Sequence, residues 1–182
     1  MMSLGRNRGG VEFVPLTREL FARALEGARD FDAAAAISAG VDTCDPEASA
    51  ILWRPDCGWA LMEGVRCLGT GGVLDRGGRR GVLWLMPALG ITPRPFAATL
   101  PAVRAWLRRL LIGGPFLRLE AEIRADYPKA CLWIERLGFT RECTLEKFAL
   151  GRDFFLYSLV DLDLRGGSAP VTTPKRTLLG VS

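Results

Sequence analysis

Apolar residues recur along this chain in two rhythms, and the switch between them marks its elements. Val11-Glu12-Phe13-Val14-Pro15-Leu16 alternates in character and predicts a short strand. From Thr17, a suitable N-cap, Leu16, Leu20, Phe21, Ala24 and Leu25 recur at helical spacing, predicting a helix to about Arg29. A second, Ala-rich helix is expected over 32–39, closed by Gly40. The next block reads as β: strands over 50–54, 59–63 and 65–74, separated by Pro55-Asp56-Cys57-Gly58 and by Gly64. Asp75-Arg76-Gly77-Gly78-Arg79-Arg80 has the composition of a hairpin loop. Val82-Leu83-Trp84-Leu85-Met86 is continuously apolar, the pattern of a strand buried on both faces.

After the proline-rich stretch 87–95, residues 96–111 predict a helix whose inward face is Leu100, Val103, Trp106, Leu107 and Leu110. Arg104, Arg108 and Arg109 fall off that face, as solvated residues would. A strand over 116–123, a helix over 128–137 ended by Gly138, and strands over 142–150 and 154–162 complete the order. Strand and helix alternate only after Val82, which implies an α/β domain: a mixed, twisted central sheet with its central strands parallel and helices on both faces. The 182 residues suit one domain, expected over 11–165, between a loose Gly/Arg-rich start (1–10) and a Gly/Ser/Pro/Thr-rich flexible tail (166–182).

Composition narrows the chemistry. With 49% hydrophobic and 24% charged residues the chain is one that folds. Charges or prolines interrupt every apolar run short of the ~20 residues that a membrane span needs. The basic start has no apolar stretch behind it, so a signal peptide is not expected, and a reducing cytoplasm is the expected setting. The absence of histidine excludes Ser-His-Asp and Cys-His catalysis and the usual zinc sites, so no metal is expected. Cys44, Cys57, Cys67, Cys131 and Cys143 show no ligand spacing and read as small buried hydrophobes. The net charge of +4 permits contact with nucleic acid, through Arg76, Arg79, Arg80 and the basic termini, without any reading motif to support it.

One segment carries a resemblance. Ala130-Cys131-Leu132-Trp133-Ile134-Glu135-Arg136-Leu137-Gly138-Phe139 is similar to the C-terminal signature of the GNAT superfamily of N-acetyltransferases, and the element order matches that fold. A narrower resemblance covers about residues 28–157. The chain resembles GNAT-like proteins of short-tailed phages, related to the internal virion protein A (head morphogenesis) family. It rests on Ala28-Arg29-Asp30-Phe31-Asp32 with Ala39-Gly40, Ser49 leading to Trp59-Ala60-Leu61, Gly69, Val82-Leu83-Trp84-Leu85, and Trp133 to Phe139 with Gly151 and Phe154.

The resemblance implies a cofactor, acetyl-CoA, whose diphosphate such enzymes hold on a Gln/Arg-x-x-Gly-x-Gly/Ala loop of backbone N–H groups. Here the corresponding stretch, 87–96, has one glycine, Gly90, and prolines at 87, 93 and 95 that have no N–H to donate; Arg94 is its one cation. Where the family often has a cofactor-reaching Asn and a proton-donating Tyr, this chain has Tyr127 and Ile134. Candidate bases are Glu63, Glu120 and Glu122, the last two sharing one sheet face, and Tyr127 is a displaced candidate acid or a shielding aromatic. The bland reading of the glutamates is exposed edge charge.

The resemblance therefore implies a degenerate acetyltransferase scaffold used for contacts with phage virion or assembly proteins, in host cytoplasm or virion, with no cofactor. The rival is an active acetyl-CoA-dependent N-acetyltransferase with a divergent loop. A mean hydropathy of +0.17 is consistent with apolar surface that a partner or an oligomer would cover. Leu89, Ile91, Phe96 and Tyr127 are the expected contact residues at the cofactor end, the alternative being that the protein's own loop fills that site.

Overall fold

The computed structural model describes residues 11–26, 57–88 and 93–160. The Ala-rich helix over 32–39, the strand over 50–54, the loose start 1–10, the end of the domain beyond 160 and the tail 166–182 expected from the sequence lie outside them. The described chain runs β1 (Val11–Pro15), α1 (Arg18–Glu26), β2 (Gly58–Glu63), β3 (Arg66–Asp75), β4 (Arg80–Pro87), α2 (Pro93–Leu111), β5 (Arg118–Arg124), α3 (Pro128–Leu137), β6 (Thr140–Ala149) and β7 (Arg152–Val160).

The described strands form one seven-stranded sheet in the order β1-β2-β3-β4-β5-β7-β6. Only β4 and β5 are parallel neighbours among them, where the sequence pattern implies several parallel central strands. Connection length explains the difference. Gly64-Val65 joins β2 to β3, and four residues, 76–79, join β3 to β4, so these strands must run antiparallel. The crossover through α2 is long enough to bring the chain back in the same direction.

Helices cover both faces, as expected. One face presents Phe13, Trp59, Leu61, Val73, Leu83, Leu119 and Leu159 to Val103, Trp106 and Leu107 of α2 and to Ile134 and Leu137 of α3. The other presents Ala60, Trp84 and Met86 to Phe21 and Ala24 of α1. Leu83 and Trp84, on opposite faces of β4, are only 8% and 7% exposed, the double burial expected of that strand. Glycines make room for two indoles. A Cβ on Gly71 would come within 2.5 Å of Trp59 Cζ2, and one on Gly72 within 2.9 Å of Trp84 Cζ2.

Helix ends follow local chemistry. The Leu20 N–H donates to Thr17 Oγ1 at 3.2 Å, so Thr17 caps α1. Gly138 at φ 102° ends α3: its N–H donates to the Glu135 carbonyl and that of Phe139 to the Ile134 carbonyl, satisfying the last turn. Phe139 is then buried in the core, as the signature implied. The cysteines depart from expectation. Cys57 is buried, but Cys67 and Cys131 are half-buried and Cys143 is exposed, because β6 is an edge strand with most of its residues in solvent.

Candidate functional site

The pairing of β4 with β5 is short. It consists of Arg80↔Arg118, Gly81↔Leu119 and Val82↔Glu120, although β4 continues to Pro87 and β5 to Arg124. On their outer sides both strands stay paired throughout, β4 to β3 and β5 to β7. The sheet therefore opens from within, as a wedge between Leu83–Pro87 and Ala121–Arg124. Among the described strands, β4 and β5 do not pair with each other across it. A chain bearing amides could supply hydrogen bonds there.

A charged cluster holds the closed end. Arg118 Nε donates to Glu120 Oε1 at 2.6 Å, and its two terminal nitrogens reach both oxygens of Glu142. Arg80 Nε lies 3.5 Å from Glu120 Oε2, and Ser158 Oγ donates to Glu142 Oε1 at 2.6 Å. Bonding to Arg118 above all, then to Ser158, holds the Glu142 carboxyl below its ordinary value. The same bonds to Glu142 and then Glu120 raise the Arg118 guanidinium above its own.

The candidate bases separate accordingly. Glu120 is only 8% exposed and gripped by two guanidinium groups, which differs from the exposed edge charge considered above and suits a fastener better than a proton acceptor. Glu122, two residues further along the same face, stands on the wedge itself, half-buried. Glu63 is exposed at the end of β2, opposite Arg66, with β3 and β4 between it and the wedge. Tyr127 is half-buried at the start of α3, its N–H donating to the Arg124 carbonyl, and it makes no side-chain cap. The structure thus brings Glu122 and Tyr127 to the β5 side of the wedge and leaves Glu63 away from it.

Sequence reasoning missed three contributors. Arg118 and Glu142 are distant in sequence, and only the β5-β7-β6 order brings them together. Tyr157, opposite Ala121 on β7, is a buried phenol near the wedge's narrow end, but its hydroxyl turns to α3 and donates to Glu135 Oε1 at 3.1 Å. Burial first, then bonding with Cys131 and Glu135, pushes that phenol up, so it keeps its proton. At the mouth, Arg124 makes a two-pronged bond to Asp126 at 2.9 and 2.6 Å, and the Ala125 N–H donates to the Asp153 carbonyl, tying the end of β5 to the β6–β7 hairpin.

The fit of acetyl-CoA is divided. The wedge suits an extended arm with amides, but among the described residues the diphosphate end offers few donors. α2 opens with Pro93-Arg94-Pro95, so two of its first three residues have no N–H, and the Ala88 N–H is already given to the Leu68 carbonyl at 3.0 Å. Gly90, Leu89 and Ile91 lie outside the described residues; Arg94 is the second residue of α2. Ile134, at the place of the family's acid, is 1% exposed and packed in the core, with no proton to give. Among the described residues no group of three or more potential ligands is gathered for a metal, and no helix is long and apolar enough to cross a membrane.

Comparisons with known proteins agree on the architecture. No family model and no curated protein sequence matches the chain. Solved structures do. A GNAT-family acetyltransferase from Bacillus anthracis is similar at TM-score 0.63 and 12% identity, over 87% of this chain and 98% of that one. A T. thermophilus protein described as an acetyltransferase gives 0.61 and 21%, over 89% and 90%. A single-residue mutant of the Vibrio cholerae spermidine N-acetyltransferase gives 0.64 and 12%, over 84% and 95%. At such identities the likeness establishes the fold: this chain has the mixed seven-stranded architecture of GNAT acetyltransferases.

Proposed function

We propose that this protein is a GNAT-fold scaffold without robust acetyl transfer, acting through contacts with other proteins in the structure or assembly of a phage particle. The observation that carries the first part is the opening of α2 with Pro93-Arg94-Pro95, which strips backbone donors from the point where a diphosphate would need them. Ile134 in the core adds the loss of a proton donor for a departing thiolate. The phage setting rests on the sequence resemblance alone, and the expected locations are the host cytoplasm or the virion.

The wedge favours a second reading, an acetyl-CoA-dependent N-acetyltransferase in which Glu122 takes the acceptor's proton. Calorimetry with acetyl-CoA separates the two without knowledge of the acceptor. The scaffold reading expects binding no tighter than about millimolar, roughly −4 kcal/mol. Micromolar binding that weakens on Arg94→Ala would overturn it and revive the enzyme reading.

A further inference from the structure

Charge is spread unevenly along this chain. Between Asp75 and Glu120 there are eight arginines, no lysine and no carboxylate, whereas the whole chain has a net charge of only +4. Two of the eight, Arg80 and Arg118, are held by Glu120 and Glu142 in the charged cluster. The fold gathers four others, Arg79, Arg104, Arg108 and Arg109, where β4 begins and α2 ends, away from the cofactor end. Arg79 donates to the Gly114 and Pro115 carbonyls at 3.3 and 3.4 Å, and Gly114 lies against the carbonyls of Arg109 and Leu110. Arg104, one turn before Arg108, donates to the carbonyl of Arg136 in the last turn of α3, which adds a fifth cation. All five residues are exposed, and among the described residues none of them is paired with a carboxylate.

Two aliphatic side chains stand among these cations. Ile112 is 50% exposed, and its N–H donates to the Arg108 carbonyl at 2.7 Å; Leu117 is 52% exposed, and its N–H donates to the Arg79 carbonyl at 2.8 Å. We infer that this corner is a docking surface for an acidic partner protein, through a segment with carboxylates on either side of an aliphatic centre. The inference rests on the scaffold reading for its protein contacts and names the chemistry of the partner.

Local structure explains part of the cluster. Cations in the last turn of a helix suit its dipole, which accounts for Arg108, Arg109 and Arg136. It gives no reason for Arg104, nor for a helix of 19 residues without one carboxylate to balance its arginines. Like charges gathered in this way repel each other, and an anionic partner relieves that cost. The neighbouring residues select the kind of anion. Residues 100–119 include no Ser, Thr, Asn or Gln to assist contacts to phosphate, and a phosphate backbone leaves Ile112 and Leu117 without apolar cover. A membrane surface favours aromatic anchors, and the side chains that project here are aliphatic. A protein segment covers the aliphatic pair, and its carboxylates accept two parallel bonds from a guanidinium, a geometry that lysine lacks.

A displayed library of random dodecapeptides selected on the full chain tests the surface. Sequences that flank leucine or isoleucine with aspartate and glutamate should be enriched, and a synthetic copy should bind more weakly as salt rises. Its affinity should fall about tenfold on Arg108→Glu, and again on Ile112→Ser with Leu117→Ser. Arg109→Glu replaces the first variant if it does not melt cooperatively. Arg66→Glu, an exposed arginine at the cofactor end, should change affinity by less than about twofold, because salt screens so distant a charge. No acidic enrichment, or an equal loss on Arg66→Glu, would overturn the surface. So would a DNA duplex or phosphatidylserine vesicles bound more tightly than the peptide. Acetyl-CoA calorimetry keeps the two readings apart. Micromolar cofactor with peptide enrichment removes the scaffold reading but leaves the surface, and millimolar cofactor without enrichment removes the surface alone.

Discussion

Val82 and Glu120 are the last residues to face each other across β4 and β5, and the wedge begins one residue beyond them. The same Glu120 is held by Arg80 and Arg118, the first residues of those strands, so the charged cluster sits where pairing stops. Position and charge thus combine: a carboxylate clamped from both strands keeps the narrow end shut while the other end remains open.

That clamp makes acid stability depend on Glu142. Its carboxyl lies below the ordinary 4.5 in the folded protein because Arg118, then Ser158, bond to the charged form. The unfolded chain binds that proton more readily, so the contribution is complete above the ordinary value and disappears as pH falls through the lowered one. Glu142→Gln should lower the melting temperature at pH 7 and flatten its decline below about pH 4.5. A variant with an unchanged acid limb would show that the pair is too exposed to matter.

The prolines at the start of α2 make a prediction of gain. Pro93→Ala with Pro95→Ala restores two backbone N–H groups at the helix start, each able to bond a charged oxygen for about 1.5 kcal/mol. Acetyl-CoA affinity should rise by about tenfold per restored donor, measured by calorimetry, and fall again on adding Arg94→Ala. If the double variant binds no better, the prolines do not explain the missing cradle.

Much of the architecture was legible, and what was hidden has a common cause. Helix α3 begins and ends where Pro128 and Gly138 say it must, and Val82–Met86 is buried on both faces, because these features depend on local rules of capping and pattern. Spacing also placed Glu120 and Glu122 on one face correctly. It did not distinguish their roles, since that depends on where the β4–β5 register stops. Register is a property of two strands with a helix between them, and no local signal in either strand encodes it. The exposed Cys143 escaped for a similar reason: burial of a small thiol depends on whether its strand lies inside the sheet or at its edge.

Room for the indoles supplies a stability test. A Cβ at Gly71 would stand 2.5 Å from Trp59 Cζ2, and Trp59 is itself stacked on Phe13 at 4.7 Å and only 1% exposed, so the ring has nowhere to move. Gly71→Ala should destabilise by about 1–3 kcal/mol, the cost of overpacking a filled core. Denaturant melts measure it. Gly71→Ala with Trp59→Leu should recover part of the loss relative to Trp59→Leu alone, and no recovery would mean that the clash lies elsewhere.

The turn between β6 and β7 predicts a gain in stability. Ala149 and Arg152 pair directly, leaving Leu150 and Gly151 as a two-residue loop at φ 50° and 68°. A hairpin turn with both central residues left-handed favours Asn-Gly, because the asparagine side chain tolerates that conformation while leucine is strained in it. Leu150 is also 67% exposed, so its side chain gains little from packing. Leu150→Asn should therefore stabilise the protein by about 0.5–1 kcal/mol, read as a melting temperature higher by a few degrees. Gly151→Ala, which places a side chain at the other left-handed position, should move it the opposite way. A lower melting temperature for Leu150→Asn would show that the exposed leucine is held by contacts worth more than the strain, and would mark the hairpin tip as a packed surface.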